Sequence, residues 1–238
     1  MFIVEIDSVF ANVIWNALTG RQAHLAYGNE LAKWYDPDFT RLAAVKEQTA
    51  ECYRALNQQM KSGQWFVLRT KTGWSQGFDE GFDVTEFDGL EMICEKLNHD
   101  EQAQRRLEHI ELVKLQAADV PEMMALAELT KPGPFGTRTI EFGNFYGIKD
   151  GGRLVAMAGQ RMMCGEQFDE VSAVCTHPDF GGRGYARALV ARVANCIQDI
   201  GHVPFLHVRA DNVGAIGLYE SMGFVRIQPV KFALFKKP

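Results

Sequence analysis

The spacing of apolar and polar residues predicts helices and strands in both halves of the chain. The elements predicted in the first half are helices over 10–35 and 41–60 and short strands at 65–69 and 90–94. A loop rich in Gly and Asp separates the two strands. The pattern is typical of an α+β unit, and no chemical motif falls within it.

Strands and helices alternate more clearly in the second half. The predicted elements are strands at 109–115, 144–148, 153–160, 170–176 and 204–209, helices over 118–130, 184–200 and 212–222, and a strand pair near 224–235. The stretch KPGPFGTR holds no regular element. Asn212 is suited to cap the last helix, and Gly201 and Gly223 stand where helices commonly end.

A polar, highly charged segment at 96–108 predicts a boundary or an exposed connector. It divides the chain into an N-terminal α+β domain at 1–105, of no assigned role, and a second domain at 106–238. The length of 238 residues fits one large domain or two modest ones. With 47% hydrophobic and 23% charged residues, the composition is that of a globular protein.

Charge and cysteine content exclude several classes of protein. The net charge of −5 argues against a nucleic-acid partner, which would require a basic face. No apolar run approaches the length of a membrane span, so no membrane partner is expected. The start carries Glu5 and Asp7 and lacks the basic region of a signal peptide. The five cysteines include no CxxC pair, which indicates reduced thiols in a cytoplasmic protein.

The stretch CTHPDFGGRGYARAL, residues 175–189, is suited to bind phosphate. A strand ends, a tight glycine loop follows, and a helix begins, so backbone N–H groups lie at the positive end of the helix. Arg183 and Arg187 add positive charge. The loop lacks the GK[ST] of a Walker loop, and Arg187 stands where a dinucleotide fingerprint needs its third glycine. A glycine turn without a ligand remains the alternative for this stretch alone.

A second stretch, FLHVRADNVGAIGLYESMGF at 205–224, follows the glycine stretch in the chain. Together the two stretches resemble the signature of the GCN5-related N-acetyltransferase (GNAT) superfamily, closest to its FR47-like branch. Gly184 and Ala186 match the last two fixed positions of the first motif, [QR]xxGx[GA]. Gly181 stands in place of Gln or Arg, which predicts weaker pyrophosphate binding. The second motif is matched by Asn212, Ala215, Leu218, Tyr219, Gly223 and Phe224.

The resemblance covers residues 109–238 and implies the GNAT fold, an α/β (α+β) fold. Its central mixed, mostly antiparallel sheet is flanked by helices. Residues 1–105 would be a degenerate GNAT half or a helical lid with its own small sheet. The implied co-substrate is acetyl-CoA, and no metal is expected. The residues implied to bind it are Val174, Cys175, Thr176, Gly181, Gly182, Arg183, Gly184, Tyr185, Ala186, Asn212 and Tyr219.

The resemblance also implies how the cofactor lies. Its pyrophosphate would rest on the amides of residues 182–186. Its pantetheine arm would add as a strand to 171–176, where that strand separates from 204–209. An N–H near Val174 or Cys175 would polarise the thioester carbonyl.

The implied catalytic residues are Glu170 and Tyr219. An alkyl ammonium with a pKa of about 10 must lose a proton before it attacks, and Glu170 would be the base, directly or through water. Tyr219 would protonate the departing thiolate. The alternative for Glu170 is an exposed strand-end glutamate without a catalytic role. The alternative for Tyr219 is a core aromatic residue that packs on Phe224. His207 either lines the acceptor cleft or packs as a satisfied core histidine. Other residues expected to border the acceptor are Glu141, Phe145, Tyr146 and Arg161.

The sequence therefore predicts an N-acetyltransferase acting on a primary amine. Small amines or amino acids compete as acceptors with peptide or protein amines, and a homodimer is possible. Residues 1–108 hold 11 Lys and Arg against 17 Asp and Glu, which would suit a cationic acceptor. The alternative function is a catalytically silent CoA-binding regulatory module. A nucleotide-binding oxidoreductase would require that the loop at 181–187 binds NAD.

Overall fold

An eight-stranded sheet takes strands from both halves of the chain, and a small three-stranded sheet accompanies it. The computed structural model describes residues 2–71, 73–75, 77–98 and 109–238. The small sheet consists of β1 (Ala26–Gly28), β2 (Ala32–Tyr35) and β3 (Ala43–Val45). The large sheet has the spatial order β4 (Trp65–Thr70), β11 (Val225–Lys236), β5 (Asp83–Ile93), β10 (Val203–Arg209), β9 (Phe168–Thr176), β8 (Arg153–Cys164), β7 (Phe145–Asp150) and β6 (Val113–Lys114).

The pairing in the large sheet confirms the predicted mixed, mostly antiparallel architecture. β9 and β10 are parallel, and the other neighbouring strands run antiparallel. The described helices are α1 (Phe2–Val9), α2 (Val13–Thr19), α3 (Ala50–Gln59), α4 (Val120–Thr130), α5 (Tyr185–Gln198) and α6 (Val213–Ser221). Short 3-10 turns lie at 23–25, 117–119, 139–142 and 178–180.

The two faces of the large sheet carry different apolar clusters. Val171 and Leu206 belong to the cluster that contains α5 and α6. Phe168 and Phe205 belong to the cluster that contains Val13 and the rest of α2. Since successive side chains of a strand point to opposite faces, helices cover the sheet on both sides. This arrangement leaves polar residues of the α2 face for the site described below.

The predicted helix over 10–35 is correct for α2 but wrong for the residues that form β1 and β2. Gly28 has a φ of +112°, and a Cβ there would lie 2.1 Å from the carbonyl oxygen of Ala32. The side chain of Asn29 accepts hydrogen bonds from the amides of Leu31 and Ala32 at 2.9 and 3.0 Å. Glycine and asparagine therefore make a tight hairpin turn that overrides the helical periodicity.

The predicted helix over 41–60 is correct only from Ala50 onward. The Thr49 hydroxyl accepts a hydrogen bond from the Cys52 amide and so marks the start of α3. The residues of β3 are all buried and pair with β2. Burial on both sides explains the continuous apolar run that resembled part of a helix.

Several other predicted strands differ from the observed strands in length or number. These strands pair with partners that are distant in the sequence. The strand expected at 90–94 is the end of the longer β5, and the strand expected at 109–115 shortens to β6. The strand pair near 224–235 is one strand, β11, with a bulge between Arg226 and Gln228. Most of the connector at 96–108, and with it the expected domain boundary, lies outside the described residues. β4 and β5, from before that boundary, belong to the large sheet.

Candidate active site

Strands β9 and β10 begin as a parallel pair and then separate. Their ladder consists of the pairs Phe168–Val203, Asp169–Pro204 and Glu170–Phe205. β9 continues to residue 176 and β10 to residue 209, and in the described structure no later pair joins them. On their outer sides, β9 pairs with β8 and β10 with β5. The facing edges at 171–176 and 206–209 therefore form a cleft that can take an extended, amide-bearing ligand.

A β-bulge lies in β9 beside this cleft. The register with β8 shifts between the pairs Gly159–Ser172 and Met157–Cys175. Ala173, inside the shift, has a φ of +53°, which is unfavourable for a residue with a side chain. Bulges change the direction of backbone groups and often lie next to active sites. This one adjoins the N–H groups of Val174 and Cys175, which the resemblance assigns to the thioester carbonyl.

The glycine loop connects β9 to α5 and presents backbone at the start of the helix. Gly182 and Gly184 have φ values of +75° and +80°. Gly184 caps α5, and residues 181–183 are exposed. The first amides of an α-helix lack intrahelical partners and attract anions. The loop thus has the geometry of the predicted phosphate cradle.

Two arginines, Arg183 in this loop and Arg187 in the first turn of α5, contact neighbouring side chains. The Arg183 guanidinium lies over the Phe180 ring, 4.6 Å from its centroid. Arg187 donates a 2.6 Å hydrogen bond to Ser221 and so joins α5 to α6. Gly181, the departure from the family motif, has room for a side chain, because a Cβ there would lie 3.5 Å from the carbonyl oxygen of Pro178. A backbone cradle remains without the usual side-chain contact.

Helix α6 places Tyr219 in the apolar cluster that β10 shares with α5. The Asn212 side chain caps the helix by accepting a 3.2 Å hydrogen bond from the Ala215 amide, as predicted. Tyr219 packs on Phe224 with ring centroids 5.9 Å apart. Burial raises the pKa of the Tyr219 hydroxyl to about 12. Within the described structure this hydroxyl has no hydrogen-bond partner, so it remains protonated and available as a donor.

A row of polar side chains crosses six neighbouring strands on the α2 face of the sheet. Its members, one from each strand, are Arg69 (β4), Gln228 (β11), Glu91 (β5), His207 (β10), Glu170 (β9) and Arg161 (β8). Glu91 accepts hydrogen bonds from Arg69 at 2.5 Å and from Gln228 at 2.7 Å. His207 contacts Glu91 through Nε2 and Glu170 through Nδ1, each at 2.8 Å. We call this set the polar row.

Glu170 is held firmly inside the polar row. Arg161 donates to its carboxylate from Nε at 2.8 Å and from Nη2 at 2.7 Å, and the Met162 amide lies 3.3 Å away. Burial alone would raise the pKa of Glu170, but Arg161 and His207 outweigh burial and lower it to about 2. A carboxylate in this environment is a weak proton acceptor. Its predicted role as the base therefore lacks support from the geometry.

His207 is fixed as an imidazolium by its two carboxylate neighbours. Both ring nitrogens face carboxylate oxygens, which only accept hydrogen bonds, so each nitrogen must carry a proton. Burial would lower the pKa of His207, but its hydrogen bonds to Glu170 and Glu91 outweigh burial and raise it. Both interpretations of His207 apply. Its ring lines the cavity described below, and its two nitrogens are satisfied by carboxylates.

A cavity of about 670 Å³ lies against the polar row. Arg161, His207 and Arg209 line one side of it, and the loop at 131–135 lines another. Aromatic and aliphatic side chains from β4, β5 and β11 form much of the rest. Its volume is typical of a small-molecule site. Because β10 borders both this cavity and the cleft, the cavity is the candidate acceptor site.

The other candidate residues are accounted for locally. Burial raises the pKa of the Cys175 thiol to about 11, which keeps it unreactive. His177 accepts a hydrogen bond from the Asp179 amide. Glu141 pairs with Arg138 on the surface. Phe145 is buried, and Tyr146 lies under the Arg192 guanidinium.

The described residues lack two kinds of feature. They contain no group of three His, Cys, Asp or Glu side chains suited to hold a metal. In the same part of the chain, no helix is long and apolar enough to span a membrane.

Sequence reasoning missed Arg69, Glu91 and Gln228, which complete the polar row. Arg69 and Glu91 each lie in an otherwise apolar stretch, WFVLR at 65–69 and LEMIC at 90–94. A charged residue within a buried strand is the one signal that could have found them, because such a charge requires a partner.

Comparison with known proteins agrees with the fold. A family model described as FR47-like protein matches residues 145–232. A structure from Novosphingobium aromaticivorans, assigned to the acetyltransferases of the GNAT family, is 33% identical with a TM-score of 0.84. That match covers 96% of this chain and 98% of the other. This chain therefore belongs to the GNAT family of acetyltransferases, in its FR47-like branch.

Two further relatives are more distant or match a shorter segment. The N-alpha-acetyltransferase RimI of Mycobacterium tuberculosis is 36% identical over 86 residues, which cover 35% of this chain. The match spans about half of that relative's length, 53%. A GCN5-related N-acetyltransferase from Kribbella flavida is 15% identical, with 99% of this chain and 96% of the other covered and a TM-score of 0.63. This last likeness is one of fold.

Proposed function

We propose that this protein transfers the acetyl group of acetyl-CoA to a primary amine. The observation that carries the proposal is the cleft between β9 and β10, with a bulge on one wall and the glycine loop at its end. An open strand edge suits the amide-bearing arm of the substrate, and the start of α5 suits its pyrophosphate. The name of the RimI relative, an N-alpha-acetyltransferase, supports an amine as the acceptor.

The residues around the cleft have distinct parts in this reaction. The acceptor nitrogen forms a bond to the carbonyl carbon of the thioester, and the bond from that carbon to sulfur breaks. The N–H of Val174 or Cys175, beside the bulge, stabilises the negative charge that develops on the carbonyl oxygen. Tyr219 gives its hydroxyl proton to the departing thiolate.

The nitrogen's own proton must also leave before or during attack. Glu170 as the base stays a prediction, but its pKa of about 2 makes it a weak acceptor of that proton. We favour loss of the proton to water. The positive charges of Arg161 and His207 beside the cavity favour the neutral form of a nearby amine. This route needs no carboxylate base.

Two observations favour one alternative, a catalytically silent CoA-binding module. Arg161 and His207 hold the Glu170 carboxylate, and Gly181 replaces the usual Gln or Arg of the family motif. The test combines calorimetric binding of acetyl-CoA with release of free CoA in the presence of single amines. Acceptor-dependent release, reduced in Tyr219→Phe, supports the transferase. Binding without release for any amine supports the module. Absence of both binding and release refutes the whole proposal.

A further inference from the structure

The polar row ends at the cavity with an excess of positive charge. Arg69, His207 and Arg161 are its cations, and Glu91 and Glu170 stand between them. Each carboxylate contacts a cation on both sides, so three positive charges meet two negative ones, a net charge of +1. Of these cations, His207 and Arg161 line the cavity. An anion in the cavity would complete the alternation of charge.

The Nη1 group of the Arg161 guanidinium is available to bind such an anion. Its Nε and Nη2 atoms are held by Glu170. Its Nη1 atom lies 3.7 Å from where a Cβ of Gly133 would stand, next to the loop that lines the cavity. Nη1 has no hydrogen-bond acceptor among the described residues. A guanidinium that is fixed on one edge can offer its remaining N–H groups to a carboxylate.

The remaining wall of the cavity is mostly apolar and adds little negative charge. Its large side chains include Trp65, Phe87, Phe135 and Phe232. Lys131 also lines it and has no ion pair in the described structure, whereas Arg209 is held by Asp211 at 2.7 Å. Glu128 is the carboxylate that lines the cavity directly, and it is exposed to solvent. A polycation would meet the charges of Arg161, Lys131 and His207 and be repelled.

We propose that the acceptor is an amino acid with a large apolar side chain, and that Arg161 binds its carboxylate. The side chain would lie against the aromatic wall. The amine, one carbon from the carboxylate, would be presented to the cleft beside Ser172 and Ala173, which line a small pocket together with Arg161. The inference rests on the proposed transferase function. It replaces the cationic acceptor that the acidic first half suggests.

The test compares each amino acid with the amine that lacks its carboxylate. L-phenylalanine is paired with phenethylamine, L-leucine with 3-methylbutylamine, and spermidine serves as the polycation. CoA release gives kcat/KM for each compound, and calorimetry in the presence of CoA gives its affinity. We expect kcat/KM for each amino acid to exceed that of its matched amine at least tenfold. In Arg161→Lys, which keeps the charge beside Glu170, this ratio should fall at least tenfold, mainly through KM.

Two further variants keep the test independent of folding. Lys131→Met changes an exposed-loop cation at the cavity and should lower the same ratio two- to fivefold. Arg192→Gln removes an arginine that lies over Tyr146, outside the cavity lining, and should leave the ratio unchanged. Thermal unfolding shows whether each variant is folded before its ratio is compared.

The outcomes separate this inference from the proposed function. Equal or better use of the decarboxylated amines, or of spermidine, overturns the inference and leaves the transferase intact. If no compound releases CoA, the transferase proposal fails, and calorimetry still decides the inference. Tighter binding of the amino acids than of the amines then supports it, and equal or absent binding overturns it.

Discussion

Replacing Glu170 by Gln tests how much the polar row contributes to stability. The pKa of this buried carboxyl is about 2 instead of 4.5, because Arg161 and His207 outweigh the effect of burial. A lowering of this size corresponds to about 3 kcal/mol of stabilisation by the ionised form. Since the folded state has the lower pKa, this contribution is complete above pH 4.5 and is lost as the pH falls toward 2. We therefore expect Glu170→Gln to lower the free energy of unfolding by about 3 kcal/mol at pH 7.

Urea unfolding followed by circular dichroism measures this effect. The difference between wild type and Glu170→Gln should be largest at pH 7 and should shrink at each step below pH 4.5. Glu141→Gln is the matched control, because Glu141 is 48% exposed and pairs with Arg138 on the surface. Such a pair contributes at most about 1 kcal/mol. Equal stability of Glu170→Gln and wild type at pH 7, or a difference that does not change with pH, would refute the reasoning.

The same variant also decides whether Glu170 is the base. If the polar row only holds Arg161 and His207 in place, kcat of the folded variant should fall by less than about tenfold. Loss of a general base typically costs about 10²–10⁴ in rate. A loss of a hundredfold or more in a variant with normal acetyl-CoA affinity would restore Glu170 as the base.

Four other substitutions address the glycine loop and helix α6. Tyr219→Phe should lower kcat at least tenfold at an unchanged calorimetric Kd for acetyl-CoA, because only a proton donor is lost; an unchanged kcat would remove Tyr219 from the mechanism. Gly184→Val should raise that Kd at least tenfold, since φ is +80° there, whereas Gly181→Gln should fit and lower it. A normal Kd for Gly184→Val would contradict the phosphate cradle. Asn212→Ala should cost about 1 kcal/mol in urea unfolding through loss of the α6 cap, and no change would show that the cap is dispensable.

The elements that the sequence predicted well are those fixed by local chemistry. α5 has a regular apolar stripe and Gly201 just after its end, and α6 has the Asn212 cap and Gly223 just after its end. β7 and β8 are joined by a short turn at Gly151 and Gly152, which have φ values of +56° and +84°. Such signals operate between near neighbours in the chain, so a single sequence reveals them.

The elements that were missed or predicted too short depend on pairing with other strands. β5 lies between β10 and β11, and its residues pair with residues more than 100 positions later, as Glu91 does with His207. β3 is only three residues long and is fixed by β2 on one side. Strand preference depends on packing against such neighbours, and a single sequence does not identify them.

The same distinction explains which parts of the site were foreseen. The glycine loop and the Asn212 cap are contiguous motifs, whereas the polar row draws one residue from each of six strands. Predicting that row requires the strand order, which places Arg69 and Glu91 beside His207. Glu170 was therefore singled out by position alone, without the neighbours that lower its pKa and weaken it as a base.

The polar row also connects the first half of the chain to the site. Burying five charged groups across a sheet is costly, and apolar residues of similar volume would often stabilise a fold equally well. A row of this kind is therefore better explained by what it does at its end, where Arg161 and His207 face the cavity. Arg69 and Glu91, both from the first half, fix the charge of His207 from the far side. Trp65 and Phe87 line the same cavity. On the proposed function, the first half would therefore help to select the acceptor, although none of the motifs that the resemblance assigns to acetyl-CoA lies within it.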